Sequence, residues 1–318
     1  GPMPEGYVLG VDIGGTSIKL AIVSSAGEIA SSLRYPTSYG RLEDLLDSIY
    51  ENAGGLLSRW PGPSISAIGI GIKSLTDHRR QLVSSSSLIC DATDIDIVSP
   101  LSHRFGVPAV IDNDVNAMAV AEAMFGWGRT QRDFMYVNVG TGVGVCPIFN
   151  RMPYRGARGW AGEISSCLLE GDARGIYPLE TVASGAGCDM EARRLAPQYP
   201  DSCLIPVIAS GGRRLRSDEV FAAALEGDAL ACAVAKNMLH CLAITLLNIE
   251  ALMDQRLYVF GGGVVSGQFL SSLESAIGQM CPPQAIQSGM VLVPTKLGVD
   301  QAGIIGAASL ALSHEWRR

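Results

Sequence analysis

The apolar positions of the chain follow two rhythms. In "VLGVDIGGTSIKLAIV" (8–23), an apolar run from Val8 to Ile13 is interrupted by Asp12, passes through Gly14 and Gly15, and resumes from Ile18 to Val23. Two apolar runs flanking a Gly-Gly turn predict an antiparallel hairpin of buried strands. The pattern returns about 125 residues later in "FMYVNVGTGVGVCPIF" (134–149), with Gly140, Thr141 and Gly142 at the turn. Such a recurrence predicts two similar halves facing each other across a cleft. Between and after the hairpins the rhythm is helical over 40–60, 98–105, Asn116 to Phe125 and stretches from about 179 to 253. Further strands are expected over 66–74, in "VPAVIDNDVN", in "LYVFGGGVVSG" (257–267) as it runs into three glycines and a helix start, and at the head of "MVLVPTKLGVDQAGIIGAASLALSHEW" before a closing helix. Residues 84–97 read as a polar loop carrying Asp91, Asp94 and Asp96, and 150–178 as an irregular segment rich in Gly and Arg. Strands alternating with helices define an α/β protein.

The most apolar stretch, Ala229 to Met253, contains Lys236, Asn237, His240, Asn248 and Glu250, which predicts a buried helix rather than a membrane span. Of the 318 residues, 47% are hydrophobic and 17% charged, as expected of a globular chain. A net charge of −7 offers no basic surplus for nucleic acid, yet leaves room for a local anion site. The eight cysteines form no CxxC pair, which excludes a zinc knuckle or dithiol motif and fits a reducing compartment. Gly1-Pro2 before Met3 reads as a protease-cleavage scar, and the start has no signal-peptide pattern, so a cytoplasmic location is expected.

Two tempting motifs fail. Gly71-Ile72-Lys73-Ser74 lacks the adjacent Gly-Lys of a P-loop. Gly261-Gly262-Gly263 has Ser266 where a dinucleotide fold needs its third glycine, and no acidic residue ends the next strand. The first hairpin is better placed for chemistry. Gly14 and Gly15 expose bare backbone, Thr16 adds a hydroxyl and Lys19 a cation, a combination suited to phosphate. A carboxylate at Asp12 beside an anion site is reconciled by a divalent metal, although an ordinary hairpin with Asp12 bonded to backbone fits too. Asp112, Asn113 and Asp114 fall where a strand ends and a helix begins. Asp114 there reads as a helix N-cap or as a general base kept ionised by the helix terminus, and the two roles are compatible.

Seven motifs in order give a family resemblance: Asp12-Ile-Gly-Gly-Thr16, Asn113-Asp114-Val-Asn116, Gly140-Thr-Gly142-Val-Gly144, Gly162-Glu163-Ile164, Leu179-Glu180-Thr-Val-Ala-Ser-Gly185, Gly261-Gly-Gly263 and Ala302-Gly303. The chain resembles the ROK group of sugar kinases and repressors over residues 10 to about 312. The resemblance implies two actin-like ATPase (ribonuclease H-like) domains around a central cleft, one formed by 1–116 and completed by a helix at 301–318, the other by 117–300. It implies that Gly14, Gly15, Thr16 and Lys19 together with Gly140, Thr141 and Gly142 grip the phosphates of ATP, and that Gly261, Gly262 and Gly263 lie against its adenosine. Asp12 would hold Mg²⁺ indirectly. Asn113, Glu163 and Glu180 would bind the hydroxyls of a sugar or cyclitol acceptor, and Asp114 would take the proton of a primary hydroxyl. A homodimer is a further implied partner; nucleic acid and membrane are not.

The chain also departs from the family. Ser165-Ser166 follow Glu163-Ile164 where the family has Gly-His, and Cys167 stands alone in place of a cysteine cluster, so structural zinc is not expected. Lys73-Ser74 replace Pro-Gly. These changes fall on the acceptor side, which points away from glucose toward an amino-hexose or cyclitol. The alternatives are a catalytically weak sugar-binding sensor or regulator of the same family, and a repressor. The latter is disfavoured by acidic charge and by a first strand that begins by residue 7.

Overall fold

In the computed structural model, which describes residues 6–38, 40–89, 93–171, 174–285, 287 and 289–313, the Gly14–Gly15 turn folds β1 (Tyr7–Ile13) onto β2 (Ser17–Ser24). Asp91 and the final residues of the expected 301–318 helix lie outside the described residues. β3 (Ile29–Pro36) continues the antiparallel meander, and α1 (Leu42–Ser58) carries the chain across to β4 (Ile65–Ile72), which runs parallel to β1. The segment expected to be a polar loop instead completes a small antiparallel sheet of β5 (Leu75–Asp77), β6 (Leu82–Ser85) and β7 (Thr93–Ile95). These strands are only three or four residues long and bury one residue each, Thr76, Val83 and Ile95, too few positions to show a period. After α2 (Val98–Phe105), β8 (Ala109–Asn113) joins parallel to β4 and gives the order β3-β2-β1-β4-β8.

The alternation of β1 separates the two faces of this sheet. Leu9, Val11 and Ile13 pack with Ile18, Leu20 and Ile22 against Leu45, Ile49 and Leu56 of α1. Each fully buried Leu or Ile contributes about 1.5–3 kcal/mol. Val8, Gly10 and Asp12 take the opposite face, covered by α3 (Asp114–Phe125) and α9 (Ala302–Leu312). α9 approaches so closely that a Cβ at Gly69 would stand 1.8 Å from the Ala307 carbonyl oxygen. Small residues also set the α3–α9 crossing, where a Cβ at Gly306 would be 2.8 Å from the Ala117 backbone. Glu122, buried in α3, accepts from the amides of Trp127 and Lys296 and from the Thr295 hydroxyl, tying the turn after α3 to the segment leading into α9.

Contacts divide the chain into one unit of the residues up to Asp133, Cys146–Ala161 and those from Thr295 on, and a second of Phe134–Val145 and Gly162–Pro294. The expected boundary after residue 116 falls inside α3, whose buried alanines hold it on α9 within the first unit.

The second hairpin, β9 (Phe134–Val139) and β10 (Val143–Phe149), belongs to a sheet ordered β11-β10-β9-β14-β15, with β11 at Met152–Pro153. β14 (Leu257–Gly261) runs parallel to β9, and β15 (Val291–Pro294) parallel to β14. The connection pattern repeats that of the first sheet, as the recurrence of the hairpin implies. In the segment expected to be irregular, β12 (Leu168–Gly171) pairs with β13 (Gly175–Pro178). α4 (Gly185–Leu195), α5 (Ile205–Ser210), α6 (Ser217–Leu225), α7 (Ala229–Met253) and α8 (Gly267–Met280) complete the unit. α7 is long and apolar enough to cross a membrane by length and composition, but Leu230, Val234, Met238, Leu242 and Leu246 are buried in this unit's core.

Candidate active site

In the first unit, Asp12, Gly71 and Asp112 form one register row across β1, β4 and β8, at the C-terminal end of all three strands. Asp12 faces α9 beside Gly303, and Lys19 stands opposite it across the hairpin. Burial pushes the Asp12 carboxyl up to about 6, against the pull of the Lys19 and Arg34 cations. This half-buried acid is therefore a group that a cation would relieve of its desolvation. The turn is held open by its neighbours: the Thr37 hydroxyl donates to the Gly14 carbonyl at 2.8 Å and its amide to Thr16 at 3.1 Å. Gly15 and Thr16 lie at its tip, with Thr16 exposed. Lys19 Nζ donates to the Asp300 carbonyl at 3.2 Å.

At the end of β8 the structure corrects one expectation. The N-cap of α3 is Asn113, whose Oδ1 accepts from the amides of Val115 at 2.9 Å and Asn116 at 3.4 Å. Asp114 is the first helical residue, and its Oδ1 accepts from Val115 at 2.9 Å. Strand geometry explains the shift: β8 keeps extended dihedrals through Asn113, so capping falls to that side chain and leaves the next carboxylate in the helix's first turn. A carboxylate there lies at the positive end of the helix dipole, a favourable place for negative charge.

In the second unit, the β9–β10 turn is closed by the Gly140 amide on the Gly142 carbonyl at 2.9 Å. The first amides of α4 bond back to it, Gly185 to the Gly140 carbonyl at 2.7 Å and Ala186 to that of Thr141 at 3.2 Å. A Cβ at Gly185 would stand 2.9 Å from Gly140 O, so glycine permits this docking. A cavity of about 410 Å³ opens here, lined by Gly140, Thr141, Gly185, Arg214, Ser217 and Gly263. Gly261 and Gly262 have another use. A Cβ at either would stand 2.2 Å from the Tyr136 hydroxyl or 2.3 Å from the Val139 carbonyl, so they admit β9, and only Gly263 of the three faces the cavity.

Glu180, in a short 3₁₀ turn, brings Oε1 within 3.1 Å of where a Gly142 Cβ would be. Glu163 precedes a second such turn, Ile164–Ser166, which contains both serines. Burial raises the Glu163 carboxyl, and the negative charge of Glu180 adds to the effect. Cys167 is an exposed end to that turn. Among the described residues no three His, Cys, Asp or Glu side chains gather into a metal-binding group. The described aspartates of the 84–97 segment are engaged locally: Asp94 pairs with Arg80 at 2.8 Å and Asp96 accepts from the Ser99 amide of α2 at 2.9 Å.

Sequence reasoning missed Thr76 and Arg155, which bond the buried Asp112 carboxylate, and Glu191, which gathers Arg174, Arg194 and Asn237. Each partner lies more than fifteen residues away or carries no motif, apart from Arg194 three residues from Glu191 on α4, a spacing that helical periodicity offers.

The family model described as "ROK family" matches residues 8–314. A glucokinase of Halalkalibacterium halodurans is 27% identical over 326 residues, covering 98% of this chain and 97% of that protein. A xylose repressor of Bacillus spizizenii is 23% identical over 314 residues, 97% of this chain and 78% of the repressor. Among solved structures, the chain is similar to a ROK family glucokinase from Streptomyces griseus in complex with glucose and AMPPNP, with a TM-score of 0.76 and 26% identity over 96% of this chain and 99% of that one.

Proposed function

The chain belongs to the ROK family and has its two-domain actin-like ATPase fold, and from this premise we propose that it phosphorylates a primary hydroxyl of an amino-hexose or sugar-like cyclitol with ATP as donor. At the coarser level it is an ATP-dependent carbohydrate kinase, as its glucokinase relatives are. The observation that carries the reading is the end of the first sheet, where Asp12, beside a phosphate-type turn, shares a row of strand ends with Asp112, and β8 runs directly on from that row into the helix-initial carboxylate Asp114.

In this reading the turns at Gly14–Thr16 and Gly140–Gly142 present amides to the phosphates of ATP, and Lys19 adds a cation near the first of them. The donor set fits a hard divalent cation: Asp12 is a desolvated carboxylate beside an anion turn, and it would hold Mg²⁺ through water. When bound, Mg²⁺ neutralises charge on the phosphate oxygens. Asn113, Glu163 and Glu180 hydrogen-bond the acceptor's hydroxyls. Asp114 accepts the proton of the attacking hydroxyl, and its low basicity is no handicap because phosphoryl transfer passes through a loose transition state.

The acceptor class follows from the carboxylates. Glu163 is held up by burial and by Glu180, so an acceptor bearing a cation or several donors relieves both. Replacing an imidazole with Ser165 and Ser166 removes a partner for one acceptor group, worth about 1–3 kcal/mol. Coupled detection of ADP across glucose, kanosamine, glucosamine, N-acetylmannosamine and C7 cyclitols tests the proposal. An amino-hexose or cyclitol is expected to exceed glucose in kcat/KM by about tenfold. A clear win for glucose rejects that specificity. Because relatives include a repressor, the second reading is a sensor; sugar binding without sugar-dependent ADP release would favour it.

A further inference from the structure

Asp112 is 2% exposed, yet it is a hub of bonds. Its Oδ1 accepts from the Asn113 amide at 2.8 Å, from Asn116 Nδ2 at 2.9 Å and from the Thr76 hydroxyl at 3.3 Å. Its Oδ2 takes Nε of Arg155 at 2.5 Å, a cation itself only 13% exposed. Thr76 passes the network on, since its oxygen also accepts the Asn113 amide at 3.1 Å. The Asn113 side chain donates to the Ser74 carbonyl at 3.1 Å while capping α3. The junction that presents Asp114 thus rests on one buried carboxylate and the cation paired with it, Arg155.

Arg155 also opens a tight turn. Its carbonyl accepts the Ala161 amide at 3.0 Å, and Gly156 and Gly159 both have positive φ. Gly159 sits directly on β5, where a Cβ would stand 2.4 Å from the Thr76 carbonyl. The chain leaving this turn reaches Glu163 two residues later.

We propose that Arg155 is a positioning residue for phosphoryl transfer, fixing the Asn113–Asp114 junction through Asp112 and anchoring the 155–161 turn to the same strand end. The inference rests on the kinase reading above. Without the guanidinium, the buried Asp112 carboxylate loses the cation paired with it and turns toward water. That change withdraws the acceptor that orients Asn113 and Asn116. A tilt of the base by a fraction of an ångström slows turnover more than it weakens ATP binding.

The test compares R155Q, R155K and the double variant D112N/R155Q with wild type, by steady-state kinetics and by amide hydrogen exchange at residues 113–116. In R155Q, kcat is expected to fall about 10- to 100-fold with KM for ATP within about twofold, and the four amides to exchange faster. R155K keeps the charge and recovers part of kcat. The double variant carries a neutral carbonyl that still accepts from Asn113 and Asn116, so it recovers about tenfold of the loss and restores slow exchange. A merely structural pair would show equal losses in kcat and ATP binding. Wild-type kcat and exchange in R155Q overturn the inference, as does a double variant no better than the single. If wild type phosphorylates nothing on the panel, the kinase reading fails, and the exchange pattern still decides whether Arg155 holds the junction.

Discussion

Gly303, in the first turn of α9, lies against Asp12, and a Cβ built on it would stand 2.5 Å from the Asp12 Oδ2. The space that glycine leaves is what lets a carboxylate sit on the buried face of β1. Gly303→Ala should therefore push the Asp12 side chain aside while improving helix propensity by about 1 kcal/mol. The expected result is a kcat/KM for ATP reduced about tenfold or more, with a Mg²⁺ requirement shifted to higher concentration. Kinetics at several Mg²⁺ levels measure it; an unchanged Mg²⁺ dependence would separate Asp12 from the metal.

Asp12 also predicts a pH dependence. Its carboxyl is pushed by burial from the ordinary 3.8 up to about 6. Between those values the native state holds a proton that the unfolded chain has released, so Asp12 lowers the stability of the ligand-free protein as pH rises through that window. The loss is at most about 3 kcal/mol by pH 7, complete once the native pKa is passed. Asp12→Asn should then raise the melting temperature of the ligand-free protein at pH 7.5 and have little effect near pH 4. In wild type, Mg²⁺-dependent ATP binding should weaken as pH falls below 6, because the metal needs the ionised acid. Melting curves and calorimetry at pH 5, 6 and 7.5 test both signs.

Asp114→Asn keeps the first turn of α3, since Asn113 supplies the cap. Folding and binding of ATP and sugar should persist while kcat falls by about two to four orders of magnitude, the range for losing a general base. Calorimetry beside turnover separates the effects, and near-normal turnover would remove Asp114 from the chemistry.

The hairpins were legible because their apolar runs and glycines are local: Val8–Val23 and Phe134–Phe149 each contain both strands and the turn. The α3 cap was misassigned by one residue, since composition alone does not show that β8 stays extended through Asn113. Strands β5 to β7 and the β12–β13 hairpin escaped because each strand is only three or four residues long and buries at most one residue, so no alternation marks them. The network around Asp112 was illegible for a different reason. Thr76 and Arg155 lie 36 and 43 residues from Asp112 in sequence, and only the folded strand end brings them together. In the Gly261–Gly263 run the sequence does not show that Gly261 and Gly262 also admit the close approach of β9, which only the fold reveals, while Gly263 lines the cavity.

The β12–β13 hairpin leads to Glu180, and the structure orders it with organic ions. Glu191, 2% exposed, accepts from Arg174 Nη1 at 2.9 Å, from Arg194 Nη2 at 2.8 Å and from Asn237 at 2.7 Å. The Arg174 guanidinium lies 4.1 Å over the Tyr177 ring, which fixes the turn to its own strand. Burial favours protonation of Glu191, but the bonds from Arg194 and Asn237 and the charge of Arg174 outweigh it and hold the carboxyl below the usual range. That contribution is present above pH 4.5 and lost as pH falls through the lower native value. A segment clamped in this way does not need a metal cross-link. The purified protein is therefore expected to carry no stoichiometric zinc and to keep its activity after chelation and return of Mg²⁺. Arg174→Ala should destabilise it by about 1–3 kcal/mol, since Arg194 and Asn237 still pair Glu191, and should raise KM for the acceptor more than for ATP. Metal analysis finding one zinc per chain, or an Arg174→Ala variant with unchanged acceptor KM, would assign the ordering of this hairpin to something other than the Glu191 cluster.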